Sequence, residues 1–440
     1  MISPARDAAL DILLKVEQGA FASELLHSER LDKLSPQDRG LATELVMGVL
    51  RWRSRLDEAI ATLSSQKLGK LDVEVLESLR MAAYQIGFLR VPAHAAVNDA
   101  VELVKRKKKK SAAPFVNAVL RKLLAKKDVL EPVFAPGPKT LPELGVLYAH
   151  PLWLVERWVV QCGLEKAERT CAYDQQVSPT AIHLADPAAE AELKAAGITL
   201  APGRLLRSAR IVADGDVTKT KAFAEGRIAV QDEGSQLVAT LVGRGERLLD
   251  CCAAPGGKTA ILAERNLQSA VVATELHEHR ARSMQDRLRK LSNVRVIAAD
   301  ITRVNVAGDF DRVLADVPCS GTGTLARNPE IKWSLTAADL TDLHGRQLAI
   351  LRAALGKLRP GGRLVYSTCS LEPEENEAVV REMVETSGCA VIPVTEELEA
   401  LWREGALLLD DYAALTDEAF LRILPGVFGT DGFFAAVLTK

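Results

Sequence analysis

The 440 residues predict a multidomain chain: an all-α bundle, then a small α+β unit, then a mostly parallel, doubly wound α/β domain. Three observations predict it. Apolar residues recur at helical spacing through residues 1–130, with no strand-like run between them. Four prolines and a glycine crowd residues 131–142, a linker spanning 131–144, because proline breaks both helix and sheet pairing. From 232 to 440, short apolar runs alternate with amphipathic stretches, the pattern of strands joined by crossover helices.

In the first part, Ala8, Ala9, Ile12, Leu13 and Val16 share one helical face. So do Leu41, Leu45, Val46, Val49 and Leu50, and then Leu71, Val75, Leu76, Leu79, Ala82, Ala83 and Ile86, with Pro36 and Pro92 as punctuation. The expected α+β unit covers 145–231, with helices at 152–161 and 188–196 and strands at 180–184, 208–213 and 227–231. The expected strands of the last domain are 247–251, 271–274, 294–298, 312–315, 363–367, 421–424 and 433–438. Ligands of such sheets bind at the carboxyl ends of the strands.

Composition narrows the class. The chain is 48% hydrophobic and 26% charged, so it buries a core and is not a disordered chain. Its net charge of −2 hides an asymmetry: residues 1–127 carry 22 Lys+Arg against 15 Asp+Glu, and the remainder carries 34 against 43. A basic front and an acidic back fit a polyanion-binding module joined to something else. No apolar run reaches the roughly 18 residues of a membrane span, and the start lacks a secretory h-region. Seven cysteines, odd and sparse, argue against a disulfide framework and for a reducing cytoplasm. No Cys-x-x-Cys spacing exists, and His277-x-His279 reads as a solvated helix start, so no metal is expected.

The first strand of the last domain runs into Cys252-Ala253-Ala254-Pro255-Gly256-Gly257-Lys258-Thr259. Small residues between a first strand and its helix let backbone approach a ligand closely. A phosphate-binding P-loop would need glycine where Cys252 stands, and the dinucleotide fingerprint is absent. Glu275, Asp300 and Asp316 follow the next three strands at the same sheet edge. A ribose and adenine site with no phosphate grip suits S-adenosylmethionine.

Two cysteines, Cys319 and Cys369, fall at that edge in polar turns where backbone N–H groups could support a thiolate. A pyrimidine C5 is too poor a nucleophile to attack a methyl donor. Thiolate addition at C6 makes it enamine-like, and a second acid–base group helps the later release. An Asp beside the base can accept from the cytosine amino group, and Asp316 suits that role or a cofactor contact.

Cys252-Ala-Ala-Pro-Gly-Gly-Lys258, Asp316-Val-Pro-Cys-Ser-Gly-Thr-Gly323, Asn328-Pro-Glu-Ile-Lys-Trp333 and Tyr366-Ser-Thr-Cys-Ser370 resemble the RNA cytosine-5 methyltransferases. Val97-Asn-Asp-Ala-Val-Glu-Leu103 and Phe115–Lys122 look like a NusB-type helical RNA-binding domain. Together they are similar to the bacterial Sun/Fmu (RsmB-type) 16S rRNA methyltransferases. The resemblance implies a NusB-like bundle, an RRM-like middle unit and a Rossmann-like catalytic domain. It implies Cys369 as nucleophile and Cys319 as assistant to product release. It also implies a cofactor site of Cys252–Lys258, Glu275, Asp300 and Asp316. In the related DNA enzymes the Pro-Cys cysteine attacks instead. The chain departs from the family at Ile182-His183-Leu184-Ala185, where Leu-Arg-x-Asn is usual, and at Gly426, where His is common.

Lys105, Arg106, Lys107, Lys108, Lys109 and Lys110 form a cationic run suited to phosphate contact, and Lys332 and Trp333 are expected against RNA near the site. The expected partner is 16S ribosomal RNA, the expected state a monomer. The alternatives are a non-catalytic NusB-like assembly factor and a cytosine-5 methyltransferase acting on DNA or another RNA.

Overall fold

The computed structural model describes residues 3–131, 139–304 and 309–440. They form two compact units.

The first unit holds residues up to Val177 together with Leu325–Ser334. Its main helices are Pro4–Val16, Pro36–Leu63, Val73–Phe88, Ala93–Arg106 and Ala113–Ala125. Their apolar stripes meet in one core that includes Leu10, Leu45, Leu56, Leu79, Leu103 and Leu120. Ser35 starts the 28-residue second of these helices by accepting from the Asp38 N–H at 3.1 Å, with Pro36 in the first turn, where its missing N–H costs nothing. Gly48 is needed there, since a Cβ would lie 2.0 Å from the Tyr84 ring of the neighbouring helix.

The proline-rich stretch 132–138 lies outside the described residues. Residues 141–144, expected in the linker, are already helical: Thr140 and Glu143 cap Leu141–Leu147. Leu152–Cys162 and Leu164–Asp174 follow, and both group with the first unit. The range 145–231 is therefore divided at residue 177, with Leu152–Cys162 and Leu164–Asp174 in the first unit and the sheet in the second.

The second unit begins with a four-stranded antiparallel sheet of β1 (Thr180–Leu184), β2 (Thr199–Pro202), β3 (Ala209–Asp214) and β4 (Ile228–Val230) in the order β2-β3-β1-β4. Helices Ala189–Ala195 and Lys221–Ala224 complete a β-α-β-β-α-β arrangement.

The second sheet is built from β5 (Arg247–Asp250), β6 (Ala270–Glu275), β7 (Val294–Ala298), β8 (Phe310–Asp316), β9 (Leu358–Thr368), β10 (Ala390–Ile392), β11 (Thr416–Asp417), β12 (Phe420–Ile423) and β13 (Phe433–Thr439). The order β7-β6-β5-β8-β9 is parallel throughout, and β13, β12 and β11 extend it antiparallel beyond β9. Successive side chains alternate between two cores. Leu248, Leu314, Val365 and Val437 pack on one face; Leu249, Val313, Leu364 and Leu438 pack on the other. Burial on both faces is why the central strands read as continuous apolar runs. Strand order reverses about β5, and this switch point opens a crevice at the carboxyl ends. This Rossmann-like sheet with its antiparallel edge is the expected α/β domain.

Candidate active site

The loop after β5 is held by a backbone bond from Ala253 N–H to Thr274 O, 2.9 Å, and by Gly256 at φ +100°, a conformation only glycine adopts freely. A cavity of about 630 Å³ opens beside it, lined by Asp250, Cys252–Lys258, Gln231 and Asp316. Two acceptors on these residues, Asp250 Oδ1 and Gln231 Oε1, are buried without a hydrogen-bond partner. Burial pushes the Asp250 carboxyl up to about 7, against the opposing bond from Thr259 Oγ1 at 2.7 Å. A small ligand carrying N–H groups and positive charge fits such a cradle.

The other expected cofactor residues sit at the same sheet edge but are not among the cavity's lining residues. Glu275 Oε1 accepts from His277 N–H at 3.0 Å. Asp300 Oδ1 accepts from the N–H and hydroxyl of Thr302, bonds that hold its carboxyl below the usual range. Burial, then Asp250, push the Cys252 thiol well up, so it is a neutral side chain of the loop.

Asp316 at the end of β8 is gripped on both oxygens: Ser367 Oγ donates to Oδ1 at 2.7 Å, and Lys258 Nζ lies 2.7 Å from Oδ2. Burial opposes the Lys258 charge, but Asp316 outweighs it, with Cys369 and Asp250 adding, and the ammonium is held above its ordinary range. Lys258, expected at the cofactor, thus also bridges to the residues around the cysteines.

Cys319 and Cys369 meet with their sulfurs 3.4 Å apart. The hydrogen bond to Cys369, then burial, drive the Cys319 thiol well above its ordinary range. The turns carrying them are locked by Gly323 N–H to Cys369 O at 2.9 Å and Gly432 N–H to Gly323 O at 2.7 Å. A further residue, missed in the sequence, joins them: Glu375 is fully buried and accepts from Ser320 and Ser370, which follow the two cysteines. Its only sequence signal is a carboxylate six residues after Cys369.

The expected RNA-binding residues are placed differently. Lys332 is 1% exposed and donates to the carbonyls of Arg51 and Ala149, both at 3.0 Å, inside the first unit. Burial pulls its ammonium down to about 7. Trp333 Nε1 donates to Leu50 O at 2.6 Å. This pair anchors the segment 325–334 and is not a free RNA-facing surface. In the cationic run, Lys105 pairs with Glu102, Arg106 with Asp7, Lys107 with Asp11, and Lys109 with Asp72 and Glu74. Lys108 and Lys110 are exposed. Among the described residues no cluster of three metal-ligating side chains occurs, and no helix is long and apolar enough to cross a membrane.

A family model described as 16S rRNA methyltransferase RsmB/F matches residues 240–439, and a NusB family model matches 3–125. The ribosomal RNA small subunit methyltransferase B of Vibrio cholerae is 34% identical, over 100% of this chain and 98% of its own. This chain belongs to the RsmB/F methyltransferase family. The protein of the same name from Pseudomonas syringae pv. tomato is also 34% identical, over 99% of this chain and 96% of its own. A solved methyltransferase homolog from Pyrococcus horikoshii matches at TM-score 0.57 and 25% identity, over 70% of this chain and 100% of that one. The crystal structure of PH0851 matches at TM-score 0.80 and 23% identity, over 100% of this chain and 99% of that one, a likeness of fold. The methyl donor of this RsmB/F methyltransferase is S-adenosylmethionine, and the cavity with its two orphaned acceptors fits that cation.

Proposed function

We propose that the chain methylates C5 of a cytosine in 16S ribosomal RNA through a transient bond between Cys369 and C6. The observation that carries this reading is the pair of sulfurs 3.4 Å apart beside the Lys258–Asp316 ion pair. A single nucleophilic thiol would need no such neighbour.

Cys369 adds to C6 of a cytosine turned out of its stack, and the electron pair moves to C5. S-adenosylmethionine, when bound, supplies the methyl group from its sulfonium centre. The C5 proton then passes to a base at the site, the C6–S bond breaks, and the ring is restored. Cys319 assists this release. Asp316, oriented by Lys258 and Ser367, accepts from the cytosine amino group with its remaining lone pairs. Asp250 and the loop Cys252–Lys258 hold the donor, with Glu275 and Asp300 at its ribose and adenine. The NusB-like bundle supplies phosphate contacts through Lys108 and Lys110, and the protein acts as a cytoplasmic monomer.

Cys369→Ala is expected to abolish methyl transfer to ribosomal RNA. Cys319→Ala is expected to accumulate a covalent protein–RNA species on a denaturing gel. An adduct trapped by Cys369→Ala instead would reverse the two roles. Bisulfite sequencing of 16S rRNA from cells with and without the gene tests the substrate, and an unchanged cytosine pattern would reject it.

A further inference from the structure

Glu375 touches neither sulfur, yet it is buried to 0% exposure with four donors around its carboxylate. Oε1 accepts from Ser320 N–H at 2.8 Å and Gln347 Nε2 at 2.9 Å. Oε2 accepts from the Ser320 hydroxyl and from the Ser370 hydroxyl, the latter at 2.5 Å. An ionised carboxylate offers about four lone-pair sites, and all are filled here. Ser320 belongs to the turn after β8 and Ser370 to the turn after β9, so one side chain joins both cysteine turns.

The segment bearing Glu375 is itself tied to β9. Tyr366 OH donates to Glu375 O at 2.5 Å. Asn376 Nδ2 donates to Ser370 O at 2.9 Å, and Asn376 Oδ1 accepts from Thr368 Oγ1 at 2.5 Å. A buried carboxylate is tolerated only when its lone pairs are satisfied, so moving either turn would orphan it.

We propose that Glu375 is a positioning residue that clasps the two cysteine turns and thereby sets the distance between their sulfurs. The inference rests on the two-cysteine reading above. It acts through hydrogen-bond geometry: glutamine in its place keeps an oxygen for the two N–H donors. The glutamine amide then donates to the serine hydroxyls, which rotate to accept. Alanine leaves four donors without a partner.

The test reads sulfur spacing directly with phenylarsine oxide, which exchanges its oxygen for two As–S bonds and releases water only when two thiols are adjacent. The full-length wild-type protein is expected to capture one equivalent, and Cys369→Ala to capture none at this site. Glu375→Ala is expected to weaken capture roughly tenfold or more, as loss of several buried hydrogen bonds implies. Glu375→Gln restores it. Wild-type capture by Glu375→Ala, or failure of Glu375→Gln to restore it, overturns the proposal. If Glu375→Ala does not fold, Ser320→Ala with Ser370→Ala removes two of the four donors and must weaken capture in the same way; wild-type affinity there also overturns the proposal. Because the probe needs no RNA or methyl donor, failure here is distinct from failure of the methylation assay.

Discussion

Adding one methyl group at Gly323 tests the geometry of the cysteine turns most sharply. A Cβ on this residue would stand 2.6 Å from Gly432 O, 2.8 Å from Cys369 O and 2.9 Å from Gly432 C. All three obstacles are backbone, so no side chain can swing away. The turn must move by several tenths of an ångström, and the bonds from Gly323 N–H to Cys369 O and from Gly432 N–H to Gly323 O stretch with it. Overpacking of this kind costs about 1–3 kcal/mol. Two weakened hydrogen bonds add roughly 1 kcal/mol each. A total near 3–5 kcal/mol is survivable for a folded domain, since ΔG of unfolding is typically about 5–15 kcal/mol. Gly323→Ala is therefore expected to fold, to melt at lower temperature and to lose methyl transfer more than a hundredfold, because the displaced atom is the Cys369 carbonyl. S-adenosylmethionine binding, measured by calorimetry, should change little, because Gly323 is not among the cavity's lining residues. A variant with wild-type rate and wild-type melting would refute the claim that this backbone contact sets the position of Cys369.

Asp250 makes stability depend on pH. Its folded-state carboxyl is pushed up to about 7 from an ordinary 3.8, so the folded chain holds this proton more tightly. Its contribution favours folding at low pH and is lost as pH rises from about 4 to 7. Asp250→Asn keeps an acceptor for Thr259 and removes the ionisation, so its melting temperature relative to wild type should rise between pH 5 and 8. A relative melting temperature that falls over that range would contradict the assignment. Lys332→Met leaves the Arg51 and Ala149 carbonyls without their donor, at about 1–3 kcal/mol per buried orphan, partly offset by no longer burying a charge. The salt slope of RNA binding should be unchanged in this variant; a slope reduced by about 0.7 would return Lys332 to the RNA surface.

The central strands were legible because a parallel strand covered on both faces must be apolar throughout, as Leu248–Leu249 and Val313–Leu314–Ala315 are. The edge strands were not. β2 is Thr-Leu-Ala-Pro, half exposed and ended by proline, and β10 and β11 have three and two residues. The acids and cysteines could be placed because the turn after each parallel strand must open on the same edge. Glu375 could not, since its meaning depends on Ser320, Gln347 and Ser370 arriving from three separate stretches. Lys332 beside Trp333 reads as a surface pair until the carbonyls of residues 51 and 149 close over it. The ion pairs of the cationic run were hidden for the same reason. The run's charge is local, but Asp7, Asp11, Asp72 and Glu74, which pair with it, lie 35 to 99 positions away.

The sheet sets the two cysteines of the candidate site side by side. β8 and β9 are adjacent and parallel, so the turns that follow them bring two thiols to one edge, where their sulfurs stand 3.4 Å apart. Two like charges at that distance repel too strongly for both to form. At least one of the two thiols keeps its proton. The bond to Cys369, burial and the Glu375 charge all favour the protonated form of Cys319. Cys369 is the sulfur whose field adds to the Lys258 ammonium. For Cys319 to attack first, its proton would have to leave against all three influences. The proposed division, Cys369 bonding to the base and Cys319 keeping its proton, does not ask for that.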